Sequence, residues 1–80
     1  MTETKESAVA AVVGLLDAVE DPAQRFEELG EVEVMLEVAL KDVRRRISLE
    51  LKASGITWRE VGETMGGVSP QRAHQISEGK

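Results

Sequence analysis

Apolar residues recur at helical spacing in four blocks of this chain, and the breaks between blocks carry the residues that start and stop helices. In residues 4–19, Val9, Val12, Val13, Leu16 and Val19 form one strip, and Ala8, Ala11, Leu15 and Ala18 a second. Gly14 inside this run weakens it by about 1 kcal/mol relative to alanine. "EDPAQ" then stops it, because Pro22 cannot continue a helix but suits the first turn of the next, with Asp21 as N-cap.

The second block predicts a long helix from Pro22 to about Ser54. Phe26, Leu29, Leu36, Leu40, Val43 and Ile47 follow alternating three- and four-residue steps, with Glu33 as the one polar slot. Val32, Val34, Met35, Val38 and Ala39 widen the apolar surface, and Gly30 is a soft point for a bend. "ASGI" ends the helix at Gly55. Thr57 caps a third helix, Trp58 to Met65, with Glu60 as the other half of a capping box. Ser69 caps a fourth, with Pro70 at its first position, ending near Glu78.

The expected fold is all-α: an N-terminal helical hairpin (1–54) whose long central helix leads without a linker into a C-terminal helix-turn-helix (55–80). A helix apolar on more than one side needs more than one neighbour, and the short first helix covers only part of it. The expectation is therefore a homodimer whose hairpins pack as a four-helix or coiled-coil-like core, with Val12, Leu16, Leu29, Leu36, Leu40 and Val43 at the interface. The competing reading is a monomer with a generous core. An 80-residue chain has little other mass to cover those residues, which favours the dimer.

Charge changes the picture through its distribution. The chain carries a formal net charge of -5, which by itself argues against nucleic acid. Residues 1–40 hold two cations against ten acids, net -8, and residues 41–80 hold eight against five, net +3. Charges beyond about 10 Å are screened at moderate salt, so a ligand at the basic half feels that half. There is no cysteine, so disulfides and thiolate metal sites are excluded. "MTETKES" has no signal-peptide pattern, and "AVAAVVGLL" is too short to span a bilayer. A cytoplasmic protein without membrane attachment is expected.

In "ITWREVGETMGGVSPQRAHQI", Gly62 stands where two closely crossing helices need a small residue, and Val61, Met65, Val68, Ala73 and Ile76 supply apolar contacts. Together with the preceding "LKASG", this stretch resembles the helix-turn-helix of small actinobacterial DNA-binding proteins, itself similar to region 4 of sigma factors. The matching positions are Gly55, Ile56, Thr57, Trp58, Glu60, Val61, Gly62, Met65, Gly66, Val68, Ser69, Gln71 and Ala73. "VEDPAQR" and the long helix extend the likeness to roughly residues 19–77. The departure is Gly67, one residue more than the pattern has, which reads as a lengthened turn.

The resemblance implies that the Ser69–Glu78 helix enters the major groove of double-stranded DNA. Gln71, Arg72 and Gln75 would be the main base-facing set, with Pro70 and His74 also contacting bases. Lys52, Thr57, Arg59, Ser69 and Arg45 would contact phosphates. "RRR" at 44–46 cannot form one contact face, since successive residues point about 100° apart. Trp58 is expected in the core against the long helix.

His74 is the only histidine and has no metal-binding company, so no metal or cofactor is expected. Nor is there a nucleophile–base pair, a glycine-rich phosphate loop or a ligand cluster. "GETMGG" lacks the lysine a phosphate cradle needs. The reading is a sequence-specific transcriptional regulator and not an enzyme. The alternative is an adaptor or inhibitor that binds a protein through the acidic hairpin. A contact of that half with RNA polymerase is compatible with either.

Overall fold

The computed structural model describes residues 3–80 and is all-helical. It has four helices, α1 (Lys5–Asp17), α2 (Pro22–Ala53), α3 (Trp58–Thr64) and α4 (Pro70–Ser77), and no strand among the described residues. Two compact units divide inside α2, one ending at Met35 and the other spanning Leu36–Lys80. The last part of α2 therefore groups with α3 and α4.

In the N-terminal unit, α1 starts with a reciprocal cap that the apolar pattern does not reveal. The Thr4 hydroxyl accepts from the Ser7 amide at 3.0 Å, and the Ser7 hydroxyl accepts from the Thr4 amide at 2.9 Å. Asp21 caps α2 by accepting from the Gln24 amide at 3.2 Å. The link between the helices is clasped by Arg25, which donates from Nε to the Val19 carbonyl at 2.9 Å and from Nη2 to the Glu20 carbonyl at 3.3 Å. Val12 and Leu16 on α1, Val19 just after it, and Arg25, Glu28 and Val32 on α2 are half-buried at three- and four-residue steps. No described residue of this unit is fully buried. Gly30 leaves α2 uninterrupted.

The core sits in the C-terminal unit, where Val61, Ala73 and Ser48 have no exposed surface. Ser48 is tolerated there because its hydroxyl donates back to the Arg45 carbonyl at 2.7 Å. α3 and α4 pack closely on each other. Gly62 makes this possible, since a Cβ there would collide with the Val68 carbonyl oxygen. The connection runs through Gly66 (φ +97°) and Gly67 (φ +83°), both in the left-handed region where a side chain is strained. The amides of Gly67 and Val68 both donate to the Gly62 carbonyl at 3.0 Å. The extra glycine thus closes a turn and leaves α4 intact.

One expected cap is corrected. The Thr57 hydroxyl accepts from the Glu60 amide at 3.2 Å, but Glu60 does not return to the Thr57 backbone. Its carboxylate accepts from the same hydroxyl at 3.3 Å, which is nearer to hand. α4 begins at Pro70, with the Ser69 hydroxyl accepting from the Arg72 amide at 3.1 Å. It ends as the Gly79 amide donates to Ile76 and the Lys80 amide to Gln75.

Candidate functional site

Ala73 marks the side of α4 that lies in the core. At 100° per residue, Gln71, Gln75 and Glu78 form the row opposite it, with Arg72 to one side and His74 to the other. Gln71 and Pro70 are exposed and Gln75 is half-buried. Gln71 and Gln75 stand four residues apart, so two amide groups share one strip of the helix.

The flanking residues have partners inside the unit. The His74 ring meets Trp58 edge-on at 5.0 Å between centroids, and its Nδ1 lies 3.2 Å from Glu78 Oε1. Trp58 also lies under the Lys52 ammonium, 5.6 Å from the ring centre. Half-buried, it meets Lys52 at the end of α2 and His74 of α4 but is not part of the core expected for it. The contact with His74 was not legible in advance, because the two residues are 16 positions apart.

Arg72 turns the other way. Its Nη1 donates to the Lys80 carbonyl at 3.4 Å. It lines a cleft of about 190 Å³ with Glu37, Lys41 and Arg44 of α2, Ile76 of α4 and Lys80. Four cations and one carboxylate surround this cleft. Lys41 and Lys80 were not in the expected contact set. The signal available for them was the basic excess after residue 40, which carries no information on which side chains converge.

The expected phosphate-binding residues do not form one cluster. Lys52 Nζ donates to the Ile56 carbonyl at 3.0 Å. Arg45 and Arg46 both bind Asp42, at 3.1 and 3.0 Å. Arg59 lies 3.6 Å from Glu63 in an exposed pair. Thr57 and Ser69 spend their hydroxyl oxygens on capping α3 and α4. The Arg45 hydrogen bond, more than any other influence, holds the Asp42 carboxyl below the usual carboxylate range, and Arg46 adds to it. Among the described residues no cluster of carboxylates and histidine is placed to hold a metal ion, and no helix is long and apolar enough to cross a membrane.

Compared with protein-family models, with curated proteins and with solved structures, the chain matches none of them.

Proposed function

We propose that the chain is a sequence-specific DNA-binding regulator in which α3 and α4 act as a helix-turn-helix and α4 enters the major groove. The observation that supports this most is the seating of α4. Gly62 lets α3 hold it closely, and the Gln71–Gln75 strip stands on the side away from Ala73. Glutamine pairs with adenine through two hydrogen bonds, and each such contact is worth about 1–3 kcal/mol of discrimination. The cations around the neighbouring cleft, Lys41, Arg44, Arg72 and Lys80, suit the phosphate backbone beside the groove.

The test is selection of bound fragments from a random duplex pool at low and moderate salt, with a Gln71→Ala/Arg72→Ala variant alongside. A recovered sequence motif that the variant loses supports the reading. No enrichment by folded protein at either salt overturns it.

An adaptor role is the second reading, favoured by an acidic N-terminal unit that buries no described side chain fully. It predicts activity that survives the double substitution.

A further inference from the structure

We propose that the chain forms a homodimer by antiparallel pairing of two α2 helices, the acidic half of each lying on the basic half of the other. Phe26, Leu29, Leu36, Leu40, Val43 and Ile47 remain between 36% and 75% exposed. With Glu33 they keep a strict alternation of three- and four-residue steps, the repeat that winds one helix on another. The seam is about 32 Å long at 1.5 Å per residue, whereas 13-residue α1 reaches about 20 Å.

Nor is the seam used elsewhere on α2. Ser48, Arg45, Leu51 and Lys52 mark the side covered within the C-terminal unit, and the seam lies about 110° around the helix from it. The half-buried strip of the N-terminal unit, Arg25, Glu28 and Val32, is likewise about 90° away. A second helix of matching length and repeat is what such a face accepts, and another copy supplies both.

Charge selects the orientation. From Glu27 to Glu37 the helix carries five carboxylates and no cation, and from Lys41 to Arg46 four cations and one carboxylate. Parallel pairing stacks the acidic blocks together and sets Glu33 against Glu33 in the seam. Antiparallel pairing with Leu36 against Leu40 sets Leu29 against Ile47. It also brings Glu33 opposite Val43, next to Arg44 of the second copy, and lays each acidic block on a basic one. Among the described residues Arg44 forms no ion pair within its own chain.

This rests on the bare face of α2 and not on the DNA reading, so each can fail without the other. Sedimentation equilibrium of the full chain should give twice the chain mass, and a monomer at every concentration up to about the millimolar range would overturn the proposal. The chain has no cysteine, so orientation can be read by mixing two single-cysteine variants under oxidation. Leu29→Cys with Ile47→Cys should give the mixed disulfide in preference to either like pair. The exposed positions Gly30→Cys with Arg44→Cys provide the same reading without touching the seam, and a Cβ at Gly30 meets nothing. Like-with-like disulfides in both sets would sink the antiparallel arrangement.

Discussion

Gly62 is the residue on which the C-terminal unit depends most. A methyl group there meets a backbone carbonyl, which cannot swing aside as a side chain could. Gly62→Ala should therefore lower stability by about 2–3 kcal/mol, seen as a drop in Tm with the helical circular dichroism retained below the transition. Gly67→Ala meets no atom and suffers only from its left-handed backbone, so about 1 kcal/mol is expected. Equal losses at the two sites would contradict the packing role given to Gly62. Asp42 offers a pH test. Its carboxyl is held low by Arg45 and Arg46 in the folded chain, so the charged form is favoured by folding. That stabilisation is present above the unfolded carboxylate pKa and is lost as pH falls through the folded value. Asp42→Asn should melt slightly below the native protein at neutral pH, and the difference should vanish in acid. The group is exposed, so the effect is small.

Helix ends were the most legible elements, because capping is local chemistry between neighbours in sequence. Pro22, Pro70, Ser69, Asp21 and Gly55 all do what their positions suggest. The Thr4–Ser7 cap escaped notice because serine at its fourth position is a rarer partner than glutamate. The Arg25 clasp was hidden for another reason: its acceptors are the backbone carbonyls of Val19 and Glu20, which no side-chain pattern marks. It predicts that Arg25→Ala weakens the α1–α2 connection by about 1 kcal/mol, with faster amide exchange in α1 and unchanged exchange at Val61. Uniform acceleration throughout the chain would mean that the two units unfold together.

For the whole molecule the deciding quantities are charge and apolar surface. DNA binding through three or four phosphate contacts should weaken roughly 100-fold between about 50 and 200 mM salt. Replacing Lys41 or Arg44 by alanine should lower that slope by about one, whereas Gln71→Ala should leave it unchanged and cost specificity. A binding curve insensitive to salt would exclude this interface. Among the described residues Val61 and Ala73 are the fully buried apolar ones, so the proposed dimer predicts a Tm that rises with protein concentration.

The all-helical character and the helix limits to within about two residues were determined by sequence alone, because spacing, caps and breakers act over one to four residues. The need for a small residue at Gly62 was also visible there, since helix crossing leaves a local mark. Tertiary structure decided which charges meet. It turned Arg72 toward Lys41 and Arg44 and set His74 against Trp58. Those outcomes follow from the angle at which α4 leaves the Gly66–Gly67 turn and from the side of α2 it meets. No pattern along a single helix contains either quantity.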